Sequence, residues 1–104
     1  MPTMTIRNRS SKVSPGGVIT LPLAARRTLR MEIGKGARVT VAVVQGCVEL
    51  RPAETSAGIR VSPKGQMELL GEPRAMLERG VLRHFWLEMD DEKRSVSLHP
   101  YAKQ

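Results

Sequence analysis

Residues 13–22 read VSPGGVITLP, and residues 61–70 read VSPKGQMELL. The two stretches share Val, Ser, Pro, Gly and Leu at an offset of 48 residues. Continued without a gap, the same offset matches Arg26 with Arg74, Leu29 with Leu77, Val48 with Val96, Leu50 with Leu98 and Pro52 with Pro100. The five positions of the opening motif and these five make ten identities between residues 13–52 and 61–100, where chance gives roughly two or three. The chain therefore reads as two copies of one unit of about 40 residues. A unit that small rarely buries enough surface to stand alone, so each copy is expected to need the other.

Working outward, Ser14-Pro15-Gly16-Gly17 is a turn signal and Val18 to Leu21 a short strand. Pro22 suits the start of a helix, and LAARRTLRM at 23–31 supplies helix formers, with Ala25 and Leu29 on one face. Gly34 and Gly36 are expected to stop it. VTVAVV, Gln45-Gly46 and CVELRP then spell strand, tight turn, strand. Val39, Val41 and Val43 share one face, as do Val48 and Leu50 on the next strand. The second copy repeats the order: a strand–turn–strand through 59–70, a short helix opened by Pro73 and ended by Gly80, and a hairpin around Asp90-Asp91-Glu92-Lys93. The expected fold class is mainly β with short helices, built from two tandem β-turn-β-α-β-hairpin units. The expected organisation is a basic N-terminal arm at 1–10, a first unit at 11–53, a linker at 54–58 and a second unit at 59–104.

The formal charge is +7, and a field of that sign favours nucleic acid, an acidic protein or an anionic membrane. Residues 1–54 hold nine Lys/Arg and three Asp/Glu, 9 − 3 = +6; residues 55–104 hold eight and seven, 8 − 7 = +1. The basic excess belongs to the first copy. The single cysteine, Cys47, has no internal disulfide partner and sits in an alternating apolar run, as a buried small hydrophobe would. No apolar stretch approaches a membrane span, and the first residues lack the apolar centre of a signal peptide. A cytoplasmic protein is expected.

At about 100° per residue, Arg27 lies about 100° and Arg30 about 40° from Arg26 around a helix. All three guanidinium groups then project over one third of the circumference, away from Ala25 and Leu29. A charge run of this kind ordinarily makes a solvated face. Adjacent arginines repel, however, and their planar forks suit phosphate oxygens and guanine edges. The concentration of charge in this copy favours nucleic acid.

The stretch SKVSPGGVITLPLAARRTLRMEIGKGARVTVAVVQGCVELRP resembles the swapped-hairpin domain of the AbrB / SpoVT / MazE superfamily. The likeness lies in a lysine and hydrophobe before a glycine turn, a β-rich run ending in proline, a short helix with paired arginines, and a hydrophobic hairpin ending in leucine and a basic residue. It covers the first copy and, more weakly, 61–100. The resemblance implies that the two copies exchange hairpins to close one small β-barrel, a pseudo-dimer. It also implies DNA binding, with Arg26 and Arg27 as the helix pair and Lys12 as the basic residue before the turn. The chain departs from the AbrB-type pattern at Val18, where an arginine follows the turn glycine, and at Ser11, where a basic residue precedes the lysine. Arg7, Arg9, Arg30 and Arg38 complete the expected DNA-binding set. The expected function is a DNA-binding transcriptional regulator, nucleoid-associated. The alternative is a MazE-like antitoxin that binds a toxin protein and its own operator, although the basic ending HPYAKQ is unlike an acidic toxin-wrapping segment.

In the second copy Ala75, Glu78 and Trp86 stand in the places of Arg27, Arg30 and Arg38, and only Arg74 keeps the place of Arg26. The first copy is thus expected to read DNA and the second to be scaffold. Trp86 alternates with His84 and Glu88, out of phase with Phe85, Leu87 and Met89, which are expected in the core. An outward tryptophan is a candidate interface residue, or is covered by its own chain.

His84 and His99 form no metal-ligand spacing with the single cysteine. The SPGGV and SPKGQ turns lack a phosphate loop's ending, and Ser14 and Ser62 have no His–acid partners. Asp90, Asp91 and Glu92 read as a solvated hairpin tip. No catalytic residue, metal or cofactor is expected. Double-stranded DNA is the expected partner; homo-oligomers and a protein partner are left open, and no membrane is expected.

Overall fold

Among the described residues, four of the six strand pairings join the first half of the chain to the second. The computed structural model describes residues 3–6, 12–32, 34–53, 58–79 and 83–101. In chain order the elements are β1 (Thr3–Ile6), β2 (Val18–Thr20), α1 (Leu23–Thr28), β3 (Ala37–Val44), β4 (Cys47–Pro52), β5 (Ile59–Val61), β6 (Gln66–Glu68), α2 (Gly71–Glu78), β7 (Phe85–Asp90) and β8 (Ser95–Pro100). A six-stranded sheet has the order β1-β7-β8-β4-β3-β5, and β2 pairs with β6 in a separate ribbon. Only the hairpins β3–β4 and β7–β8 are local; β4–β8, β3–β5 and β2–β6 cross between copies, and β1–β7 joins the N-terminal arm to the second copy.

The architecture corrects the expected β-barrel. The fold is mixed α/β with two sheets, and neither is closed: β1 and β5 end the large sheet on opposite sides. The physical reason lies in β2 and β6. These strands are three residues long and their pairing is used on each other, Val18 opposite Glu68 and Thr20 opposite Gln66. They therefore bridge neither edge of the larger sheet.

An internal two-fold relation follows from the register. Ile19 faces Met67 and Glu49 faces Ser97, each pair separated by the repeat offset. On either side the partners exchange, Val48 with Leu98 and Leu50 with Val96. Backbone bonds repeat the exchange: Leu21 N–H donates to Gly65 O and Leu69 N–H to Gly17 O, both at 2.8 Å. One core results, fed by both copies through Val13, Leu21, Leu29, Val48 and Leu50 and their counterparts Val61, Leu69, Leu77, Val96 and Leu98. Burial of such side chains, about 1.5–3 kcal/mol each, is the reward a single copy could not collect. Phe85, Leu87 and Met89 lie in this core, as their parity requires.

Turn chemistry fixes the local pieces. Ser14 Oγ accepts from Val18 N–H at 3.0 Å, and Ser62 Oγ from Gln66 N–H at 3.1 Å, so the serine closes each S-P-x-G turn. Gln45 and Gly46 have φ of 47° and 82°, the paired left-handed residues of a two-residue hairpin turn. Pro22 caps α1 rather than opening it, in extended conformation at ψ 161°. α1 is shorter than the 23–31 expected, and it ends well before Gly34 and Gly36. α2 begins at Gly71, ahead of Pro73, which the first turn accommodates because its N–H would have no intrahelical partner there. Gly80, the expected stop, lies outside the described residues.

Candidate nucleic-acid interface

The arginines of α1 do not share one face. Arg26 is half-buried, and its Nε donates to Leu21 O at 3.0 Å. Its side chain lies over the second copy's turn, where a Cβ on Gly65 would meet Arg26 Nε at 2.8 Å. Arg74 lies over the first copy's turn in the same way, where a Cβ on Gly17 would meet its Nε at 3.0 Å, but it bonds differently: Nη2 donates to Pro15 O across the copies at 2.9 Å and Nε to Glu78 Oε2 at 3.4 Å. Arg26 and Arg74 are therefore braces between copies. The expectation of an outward Arg26, grouped with Arg27 and Arg30, is corrected on that ground.

Arg30 departs for a second reason. Helix α1 closes with Arg30 N–H donating to Arg27 O and Met31 N–H to Arg26 O, both at 3.0 Å. This is a Schellman ending, whose left-handed residue is usually glycine. Here it is Arg30, with φ 63°. Its direction is set by that reversal of the backbone, not by helical spacing. Arg27 and Arg30 are both exposed and, with Ala24, Thr28 and Asp91, line an open depression of about 370 Å3. The tip of the second copy's hairpin supplies Asp91, whose Oδ1 accepts from Thr28 Oγ1 at 2.7 Å. Asp91 thus ties the tip to α1 rather than standing free in solvent. Among the described residues no salt bridge engages Arg27 or Arg30.

Lys12 is exposed and forms an isolated antiparallel bridge to His84. Arg38 is exposed at the start of β3, and its Nη1 donates to Gly58 O at 3.0 Å. Arg7 and Arg9 lie outside the described residues. Trp86 is half-buried, and its ring stacks on His99, its register partner, with centroids 4.0 Å apart and planes 12° from parallel. Its own chain thus covers part of the ring. The structure adds two basic residues to those that the sequence pattern marks: Arg60, directly opposite Arg38, and Lys64, in the turn that Arg26 braces. The repeat offset was the available signal for the first, since Arg60 occupies the place of Lys12.

Cys47 is buried, with Sγ donating to Val44 O at 3.1 Å. Burial pushes its thiol up, Glu49 and Glu88 push the same way, and a hydrogen bond with Ser97 opposes them. Among the described residues no group of three or more His, Cys, Asp or Glu side chains could hold a metal ion, and no helix is long and apolar enough to cross a membrane. No family model, curated protein or solved structure matches the chain.

Proposed function

We propose that this protein is a DNA-binding transcriptional regulator of the AbrB-like type, acting in the cytoplasm and contacting the duplex through Arg27 and Arg30 at the end of α1. The observation that carries the reading is the pairing of these two exposed arginines in one open depression, without a carboxylate salt bridge among the described residues. Guanidinium forks in that state suit phosphate oxygens and base edges. The +6 charge of residues 1–54 supplies the attracting field, and Lys12 and Arg38 add exposed cations from the same copy. Arg26 is left to structure.

The test is retention of fragmented genomic DNA by the purified protein, followed by sequencing and by fluorescence anisotropy on the enriched duplex. One enriched site is expected, with log K against log salt sloping near about −3.6 for about four phosphate contacts. Replacing Arg27 and Arg30 together by alanine should cost about 2–5 kcal/mol of binding. No retention at moderate salt would overturn the reading and turn attention to a protein partner.

A further inference from the structure

We infer that Arg38 and Arg60, one from each copy, form a second phosphate-binding site at the edge of the six-stranded sheet, on the same duplex track as Arg27 and Arg30. The two arginines are register partners on antiparallel β3 and β5, and both are exposed. Like charges directly opposite one another destabilise a strand pair unless an anion offsets them. No carboxylate among the described residues does so. Arg51, on the same face of the sheet, shows the contrast: its Nε lies 2.9 Å from Glu49 Oε1. With Gly36 and Ala37, the arginine pair lines an open depression of about 460 Å3. At Gly36 a Cβ would lie 2.9 Å from Val61 O, so the wall between the two strands is closely approached backbone.

Both sites lie toward the same end of the large sheet. Leu50 faces Val96, which sets the end of β4, and with it the start of β3, at the end of the sheet where the β7–β8 hairpin turns. That hairpin tip carries Asp91, held by Thr28 beside Arg27 and Arg30. From β8 through β4 and β3 to β5 is three strand spacings, so the arginine pair stands roughly 14 Å across the sheet from the strand that follows the hairpin tip. A duplex presents roughly eight phosphates over that length of axis. The second copy then contributes a cation to binding instead of serving only as scaffold. The other edge of the sheet cannot do the same, because Trp86 and Lys12 stand at the offset places of Arg38 and Arg60.

This inference rests on the DNA-binding reading for its duplex, but the anion site is tested without one. Pyrophosphate titrated into the full-length wild-type chain should shift the Arg38 and Arg60 Nε–Hε resonances together and saturably, while the Arg51 resonance stays still. In parallel, anisotropy across a salt series compares wild type with Arg38→Gln/Arg60→Gln. The double variant should flatten the log–log slope by about 1.8, at about 0.9 per lost contact. Duplex binding with an unchanged slope in the variant overturns the shared track and leaves the Arg27–Arg30 reading standing. Pyrophosphate shifts without any duplex binding support the anion site and overturn that reading. Unmoved resonances overturn the site itself, whatever the variant does.

Discussion

Arg26 and Arg74 occupy reciprocal positions, each with its guanidinium laid against the turn glycine of the opposite copy. The relation explains which parts of the repeat have been kept. Nine of the ten shared positions are the helix braces, the turns they cover, the core positions and the central register partners; the tenth, Pro52 and Pro100, closes β4 and β8. The arginines without a bracing role, Arg27, Arg30, Arg38 and Arg51, are the ones replaced in the second copy.

Removing either brace should destabilise the fold. Arg26→Ala loses the bond to Leu21 O, and Arg74→Ala the bond to Pro15 O. Each should cost about 1–3 kcal/mol, read as a lower urea midpoint with unchanged m. Arg27→Ala, at an exposed position, should stay within about 0.5 kcal/mol of wild type. Equal effects from Arg26→Ala and Arg27→Ala would show that no brace exists.

Replacing Arg30 by glycine should stabilise the protein while weakening it as a binder. The left-handed backbone at φ 63° is costly for arginine and free for glycine. The gain should be about 1 kcal/mol, or about 4–8 °C in Tm, accompanied by weaker duplex affinity. A variant that is no more stable would mean that the side chain repays its own strain.

Two glycines with similar backbones should respond differently to alanine. Gly46 has φ 82° and no atom within 4 Å of a new Cβ, so Gly46→Ala should cost only the conformational penalty of about 1–2 kcal/mol. Gly65, at φ 85°, adds contacts of 2.8 Å with both Arg26 Nε and Leu21 O. Since one of these is backbone, Gly65→Ala should be the worse of the pair in thermal denaturation.

Alkaline conditions should weaken the fold through Cys47. Its folded-state thiol is raised above the unfolded one, chiefly by burial. The contribution is complete below the thiol's ordinary value and is lost as pH rises through the raised folded-state value, because the unfolded chain releases its proton first. Urea midpoints measured from neutral to strongly alkaline pH should fall more steeply in wild type than in Cys47→Ala. Parallel profiles would exclude the thiol as the cause.

The hairpins, the S-P-x-G turns and the parity of Phe85, Leu87 and Met89 were legible because each is written within a few residues. The open sheet was not, because closure turns on whether the short strands β2 and β6 pair with each other or bridge the edges, and no local pattern encodes that choice. Helical spacing alone points Arg26 outward, because it takes α1 as an isolated cylinder, whereas the side chain reaches a turn some forty residues downstream. The clue was present: Arg74 survives in a copy that has lost the other arginines. Arg30 escapes the same spacing because a Schellman ending without glycine shows only in the backbone angle.

The crossing of the strands between copies also governs how the chain reaches this state. Only β3–β4 and β7–β8 can zip up early, since every other ladder must wait for distant segments to meet, the extreme case being Thr3 opposite Asp90. Long-range pairing of this kind slows folding, because the entropy of closing the loop is lost before any contact compensates it. The two hairpins meeting along β4 and β8 are the earliest event able to unite the halves. Leu98→Ala, at that seam, should therefore act mainly on the refolding arm of a chevron, whereas Met67→Ala, in the late-forming ribbon, should act mainly on the unfolding arm.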